Sequence, residues 1–287
     1  TWGEGDLARA KVLASGDGYV LALVEAKAGY TGTPHDHQHT EMLYVLAGTL
    51  QGTTDTLRGN ATVGNGATLH FAQTANGTYG GNVSGAGSLH KSGAGELVLA
   101  GNNTHSGNTT VAGGTLRADA ANVFSAASAH TVQAGATLDF GGFNQMLGAL
   151  TNHGTVVFNS STTANVTATV ASYTGNGGEL LFNAVVNSDT GRVQQTDKLV
   201  VQGNVTGTGT IVVRLEEDPN ATGNAQATLI EIGGTNSATF DARLENRSVT
   251  GIFDWEVISD DDGFYLAADR LSPEIPAAAS LPLVGLL

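Results

Sequence analysis

Four side chains that are able to bind a metal ion lie within seven residues near the start of the chain: His35, His37, His39 and Glu41. On a strand, His35 and His37 would share one face, because side chains alternate between the two faces of a sheet, and Glu41 returns to that face after a short irregular step. Imidazole and carboxylate ligands together suit Zn, Fe, Mn, Ni or Cu. The spacing therefore predicts a site for a divalent transition metal.

Short strands flank this segment and would have to position its ligands. The apolar runs at residues 9–13 and 19–25, separated by a glycine-bearing turn, are typical of two strands, and a third strand is predicted at residues 42–46. Ligands that no sheet holds rigidly bind metal weakly. A histidine-rich surface loop without metal is therefore the alternative interpretation of the same residues.

The spacing of five residues in this region resembles the first signature motif of the cupin superfamily. Gly29, His35, His37, Glu41 and Gly48 match that motif at every fixed position. The resemblance implies a partial cupin-like β segment over residues 1–52 and a metal-dependent enzyme or sensor, because cupins use such a motif to hold a metal ion.

In cupins a second motif supplies one more histidine from a later strand, and His70 stands at about the corresponding separation. Asn65, Ala67 and Thr74 occupy positions where the family has proline, glycine and asparagine. The segment around His70 also fits a strand of a different, repetitive fold. The cupin resemblance thus implies the metal ligands His35, His37, Glu41 and His70.

A short phrase recurs along the middle of the chain: glycine, an optional small residue, threonine, then an apolar residue. A unit of about twenty residues is too short for helical hairpin repeats, but it suits one coil of a parallel β-helix, in which stacked coils bury a continuous core. Between the first two occurrences we expect one intervening coil, through Leu89 or Leu97. The apolar residue of each phrase is one of Leu69, Leu116, Leu138, Val156 and Leu180.

Residues 83–118 resemble the passenger-associated transport repeat of bacterial autotransporters. The matching parts are Gly-Ala-Gly-Ser-Leu-x-Lys-Ser-Gly-Ala-Gly-Glu-Leu-x-Leu, then Gly-Asn-Asn-Thr-x-Ser-Gly-Asn-Thr-Thr-Val, then Gly-Gly-Thr-Leu. The resemblance implies a right-handed parallel β-helix that is exported through an outer membrane and displayed at the bacterial surface or secreted. It also implies a membrane barrel on the same precursor, which this chain does not include.

Aromatic side chains are concentrated between residues 240 and 265, and the last hundred residues predict strands near residues 227–232, 238–240, 253–258 and 263–267. Such a segment would close the open end of a solenoid as a hairpin-rich cap. Its order resembles the C-terminal region of pertactin-like passengers, which implies that it folds first after export and templates the rest.

The sequence therefore predicts an all-β chain with four parts. These are a partial cupin-like segment (1–52), β-helix passenger repeats (53–190), a β-hairpin-rich C-terminal cap (191–270) and a linker toward a membrane barrel (271–287).

Composition excludes several classes of function. A formal net charge of −14 argues against nucleic acid and anionic membrane surfaces as partners, and the lack of cysteine excludes thiol catalysis. No Gly-x-Ser-x-Gly motif or phosphate-binding loop is present, and the longest apolar tail is too short to span a bilayer. At 15 to 25 residues apart, near one per coil, His90, His105, His130 and His153 could line up as a stripe, but we interpret them as isolated surface histidines.

The sequence thus favours an exported, surface-displayed passenger with a structural or adhesive role, an unknown host or cell-surface ligand and no catalysis of its own. A metal-binding cupin-type enzyme or sensor is the alternative. An abrupt change of sequence style near residues 49–54 leaves a third possibility, a rearranged gene that joins unrelated pieces.

Overall fold

A computed structural model describes residues 8–16, 19–26, 42–161, 164–187, 190–218, 226–245 and 253–270. Within these ranges all regular structure is β-strand, in 26 strands, and no helix occurs. The described residues accordingly contain no helix that could cross a membrane.

Parallel strands stack from coil to coil in three sheets that curl round one axis, so the expectation of a parallel β-helix is confirmed. We name the sheets A, B and C, and the chain visits them in the order C, A, B. The strands of sheet A are β4 (Thr49–Gly52), β6 (Thr68–Ala72), β9 (Ser88–Ser92), β11 (Thr109–Val111), β13 (His130–Val132) and β16 (Leu150–Asn152).

Sheet B lies one corner further along each coil. Its strands are β7 (Gly77–Tyr79), β10 (Glu96–Leu99), β12 (Gly114–Ala118), β14 (Ala136–Asp139) and β17 (Thr155–Val157). Three long strands then run through sheets A and B without a break: β19 (Tyr173–Asn187), β22 (Val205–Glu217) and β24 (Asn236–Glu245).

Sheet C is interrupted between its two sections. The strands are β3 (Met42–Val45), β5 (Asn60–Val63) and β8 (Val83–Ser84), then β15 (Gln145–Leu147), β18 (Thr167–Val170), β21 (Lys198–Val201) and β23 (Gln226–Ile232). In the interruption, amide side chains take over the bonding between coils. Asn103 accepts a hydrogen bond from the backbone N–H of Val83 at 2.8 Å and donates one to the carbonyl of Val123 at 2.8 Å.

Antiparallel strands occur at both ends of the described chain. Near the start, β1 (Ala8–Gly16) and β2 (Tyr19–Ala26) form a two-stranded hairpin. Toward the end, β25 (Phe253–Ser259) and β26 (Gly263–Arg270) form a hairpin that pairs with β23, and β20 (Arg192–Thr196) folds back on β19. The hairpin-rich C-terminal segment is as expected from the sequence.

The core is a set of columns in which each inward side chain lies on its counterpart in the next coil. Leu116, Leu138, Val156 and Leu180 are neighbours in one such column of sheet B, which confirms the periodicity of their phrase. Each is fully buried, which contributes about 1.5–3 kcal/mol per side chain relative to exposure. Leu69 differs, because it belongs to sheet A.

The neighbours of Leu69 are Leu50 and Leu89 rather than any residue of sheet B. The same sequence phrase therefore marks two different sheets, and the long gap before Leu116 reflects a change of sheet. Leu97, the other residue proposed for the intervening coil, pairs with Leu116 in sheet B.

Aromatic side chains stack along the axis inside the later coils. The ring centroids of Phe140 and Phe158 lie 5.1 Å apart, and those of Phe158 and Phe182 lie 4.5 Å apart. Near the C-terminal end Phe240 packs edge-to-face on Phe264 at 5.0 Å. The contact between Phe240 on β24 and Phe264 on β26 joins the antiparallel hairpin to the parallel coils.

Parallel pairing crosses two of the boundaries that the sequence predicts. Strands β3 and β4, which precede residue 53, pair with β5 and β6, while β22 and β24 continue the stack beyond residue 190. The division into four parts stays a prediction about the organisation of the chain.

Candidate functional site

Three of the four predicted metal ligands, His35, His37 and Glu41, lie outside the described residues. The fourth, His70, lies on β6 and is half-buried on the outer face of sheet A, where its Nε2 is 2.7 Å from Ser92 Oγ. The described part of the chain holds no group of three or more His, Cys, Asp or Glu side chains that could bind a metal ion. The predicted ligand set stays a prediction.

Two of the four histidines that we expected at the surface are buried. His105 and His130 are each only 1% exposed, so the interpretation as isolated surface side chains is wrong for both. His130 belongs to an inward column of sheet A between Thr109 and Leu150, and alternation on the strand places it there. Without the register between strands, the inward and outward positions of these histidines could not be distinguished.

The buried histidines are part of a chain of hydrogen bonds inside the core. His105 Nε2 lies 2.8 Å from Thr109 Oγ1, which lies 2.8 Å from Ser128 Oγ, and Ser128 donates to the carbonyl of Gly107 at 2.6 Å. His130 Nδ1 donates to the carbonyl of Ser128 at 2.9 Å. Since Ser128 donates to a carbonyl, Thr109 donates to Ser128 and accepts from His105, which fixes the proton of His105 on Nε2.

Burial keeps both rings neutral. It lowers the pKa of His105 to about 4 and that of His130 to about 3, because the charged form loses its hydration. The Nδ1 atom of His105 is buried without a hydrogen-bond partner. A proton placed on either ring would therefore be poorly stabilised, which makes the cluster sensitive to acid.

A lysine is also fully buried, in an inward column of sheet A between Phe71 and Val111. The ammonium of Lys91 donates to three backbone carbonyls, those of Gly93 at 2.7 Å, Gly95 at 2.5 Å and Gly113 at 2.6 Å. Burial lowers its pKa to about 8, so the side chain stays charged at neutral pH. This cation fastens two consecutive coils at the corner between sheets A and B.

The sequence carried a signal for Lys91 that is visible once the strand is known. Leu89 and Lys91 are two residues apart, so they share the inward face, whereas His90 between them points out. Lysine is rarely fully buried, and an alternation pattern based on hydrophobic residues therefore passes over it.

A groove of about 530 Å³ runs across the outer face of sheet B. Its central column passes from Arg117 through Asp139 and Val157 to Leu181 on successive strands. Arg214 on β22 lines the other end, four strands from Arg117, which is about 19 Å at the usual strand spacing. The hydroxyl groups of the groove come from Thr115, Thr137 and Ser160.

Charged side chains at the groove are paired with one another across coils. Arg117 Nε lies 3.3 Å from Glu96, and Arg214 Nε lies 3.6 Å from Glu245. Burial raises the pKa of Asp139, opposed by a hydrogen bond of 2.7 Å from the backbone N–H of Gly141 and by Arg117. These exposed or half-exposed pairs contribute little to stability, but they hold the guanidinium groups in place.

The floor of the groove is apolar where Val157 and Leu181 meet. With Val212 they form a small buried cluster outside the main core, on the opposite side of sheet B. Guanidinium donors, carboxylate acceptors, hydroxyl groups and an apolar floor together suit an extended polar ligand that also presents apolar surface.

Parallel stacked coils and columns of buried side chains define the class of fold: a parallel β-helix. Comparison with known families agrees. Residues 89–118 match the passenger-associated-transport-repeat, and residues 145–257 match the autochaperone domain type 1. Both are families of autotransporter passengers, and they indicate export through the outer membrane to the cell surface or secretion.

Two curated relatives are similar over most of this chain. It is 28% identical over 223 residues to the uncharacterized protein YuaQ of Escherichia coli (strain K12), and 28% identical over 261 residues to the adhesin BmaC autotransporter of Brucella suis biovar 1 (strain 1330). These alignments cover 75% and 85% of the chain, but only 16% and 7% of the two relatives. The chain therefore spans a small part of the length of each.

Proposed function

We propose that this passenger segment has an adhesive role, in which the groove on the outer face of sheet B contacts a ligand on a host or other cell surface. The observation that carries the proposal is the groove itself. Because it crosses the strands of six successive coils, from β10 to β22, only the stacked fold creates it. An adhesin among the relatives supports the same role.

The two families also support a proposal about the rest of the precursor. Autotransporter passengers imply an outer-membrane barrel on the same precursor, and we propose such a barrel as the export partner of this chain. The match of residues 145–257 to an autochaperone domain supports a role of the C-terminal coils in folding the others. We retain the four parts 1–52, 53–190, 191–270 and 271–287 as the proposed organisation.

Binding of the purified chain to cultured epithelial cells tests the adhesive role. We expect the unaltered chain to bind and an Arg117→Ala/Arg214→Ala variant to lose most of that binding, because both guanidinium groups line the groove. The matched control is Thr131→Ala/Thr151→Ala, which alters neighbouring outward positions of sheet A. Equal binding by both variants would contradict the assignment to the groove, and an unaltered chain that binds no cell would contradict the adhesive role.

The cupin-type alternative stays a separate proposal, supported by the five matching positions from Gly29 to Gly48. Elemental analysis of the purified chain tests it. Stoichiometric metal that disappears in a His35→Ala/His37→Ala variant would support a metal-binding enzyme or sensor, whereas a chain with less than about a tenth of an equivalent would contradict it.

A further inference from the structure

His70 and His90 lie side by side on the outer face of sheet A, on the adjacent strands β6 and β9. Their ring centroids are 4.5 Å apart, with the ring planes at 82°. Both side chains are half-buried, so each is partly open to solvent. From this pairing we propose that the two imidazoles form a binding site for a divalent transition metal, preferentially Cu²⁺, on the outside of the solenoid.

The distance between the rings matches two imidazoles bound to one metal ion in adjacent positions. With metal–nitrogen bonds of about 2.0–2.1 Å, a ring centroid lies roughly 3.2 Å from the metal, so an angle of about 90–110° at the metal places the centroids roughly 4.5–5.2 Å apart. The observed 4.5 Å is within that range. Rotation of the two side chains is therefore enough to bring one nitrogen of each ring to the same metal ion.

Ser92 supplies the outer support that metal-binding histidines usually have. Its Oγ lies 2.7 Å from His70 Nε2. When Nε2–H donates to this hydroxyl group, the proton is held on that nitrogen and Nδ1 keeps its lone pair for the metal. The same contact restricts the orientation of the ring before a metal ion binds.

The neighbouring residues leave room for the remaining ligands. Gln51 precedes His70 in the same outward column, and Thr110 follows His90. An amide oxygen or water molecules can fill the open positions of the ion. Two imidazoles without a thiolate favour Cu²⁺ over Zn²⁺, in accord with the general order of affinities for divalent metals.

This site differs from the cupin-type set, since it uses His90 and needs none of the ligands before residue 42. The N-terminal histidines also bind metal in principle, so the test starts from a full-length His35→Ala/His37→Ala/His39→Ala parent. Isothermal titration calorimetry with CuCl₂ and ZnCl₂ measures stoichiometry and affinity. Electron paramagnetic resonance of the Cu²⁺-loaded protein counts the coordinated nitrogens.

We expect the parent to bind one equivalent of Cu²⁺ more tightly than Zn²⁺, with two imidazole nitrogens coordinated. Adding His70→Ala or His90→Ala weakens Cu²⁺ binding by more than about tenfold, and Ser92→Ala weakens it by up to about tenfold. The control His153→Ala removes another outward histidine, one that lies next to Asn176 rather than a second imidazole, and leaves the affinity unchanged.

Circular dichroism of each variant checks that the fold persists, which we expect because both rings point away from the core. A parent that binds no Cu²⁺ would overturn the proposal. So would a His90→Ala variant with the same affinity as His153→Ala, or a spectrum with a single coordinated nitrogen. Cu²⁺ binding by the unaltered chain that the parent loses, and that requires His70 but not His90, would assign the metal to the cupin-type set and overturn this site.

Discussion

The ammonium of Lys91 lies 2.6 Å from the carbonyl oxygen of Gly113, which belongs to the next coil of the β-helix. The same ammonium binds two carbonyls of its own coil, so it closes the corner between sheets A and B from inside. A cation without a carboxylate partner is costly to bury, and only the ring of convergent carbonyls offsets that cost.

Replacing Lys91 with methionine keeps the length of the side chain but removes all three donated hydrogen bonds. We expect Lys91→Met to lower the free energy of unfolding by about 2–4 kcal/mol, because three buried carbonyls lose a partner. Urea unfolding followed by circular dichroism measures the change. Unchanged or increased stability would show that dehydration of the ammonium outweighs its hydrogen bonds.

Alanine substitutions at Gly114 and Gly135 distinguish the cost of backbone strain from the cost of steric overlap. Both have positive φ, at +61° and +78°, where a Cβ costs about 1 kcal/mol. A Cβ on Gly114 would also come within 2.5 Å of the carbonyl oxygen of Gly93 and of Lys91 Nζ, whereas one on Gly135 has nothing within 4 Å. Gly114→Ala should therefore lower the thermal midpoint clearly more than Gly135→Ala, and equal shifts would contradict the close packing around Lys91.

Acid should destabilise the chain through its buried histidines. Below the ordinary pKa of 6.5 the unfolded chain binds protons at His105 and His130, while the native chain does not until pH falls to about 4 and about 3. The free energy of unfolding therefore decreases from pH 6.5 to 4, by about 2–3 kcal/mol for each histidine. Urea unfolding at a series of pH values gives this slope.

Two substitutions, one at a buried histidine and one at an outward histidine, test whether the buried histidines cause this acid response. His105→Gln should flatten the slope between pH 6.5 and 4.5, even if it lowers stability at pH 7. His153→Gln, at an outward position, should keep the slope of the unaltered chain. A slope that His105→Gln leaves intact would assign the acid response to other groups.

Asp197 joins two segments of the C-terminal coils from a fully buried position. Its carboxylate accepts hydrogen bonds of 2.9 Å from the backbone N–H groups of Val166 and Asn183, and a third from the Asn183 amide. Burial raises the pKa of Asp197, and these donors oppose the rise. Asp197→Asn replaces one of the two accepting oxygens with an NH₂ group, which then faces an N–H donor instead of accepting from it. We therefore expect the free energy of unfolding to fall by about 1–3 kcal/mol.

Denaturant unfolding of Asp197→Asn beside Asp241→Asn measures this contribution. Asp241 is an exposed residue of β24, and its substitution should leave stability within about 0.5 kcal/mol of the unaltered chain. Equal effects of the two substitutions would contradict a structural role for the buried carboxylate.

Local pattern predicted much of the architecture. Glycine-threonine phrases about twenty residues apart predicted stacked coils, and four of the five marked residues share one column, from Leu116 to Leu180. This works because in-register stacking requires similar residues at equivalent positions of each coil. The strands and the hairpin of the C-terminal segment were also predictable from apolar runs and turns, since these are local signals.

Sequence alone thus determined the class of fold, the family resemblance and the export route, all of which rest on periodicity and short motifs. Only the tertiary structure decided which sheet each phrase joins, which histidines are buried and where Lys91 finds its acceptors. Those depend on the register between strands that are twenty or more residues apart, and a shift of one residue would exchange the inward and outward faces. The pairing of His70 with His90, and the groove between Arg117 and Arg214, exist only because the coils stack in the register that the structure shows.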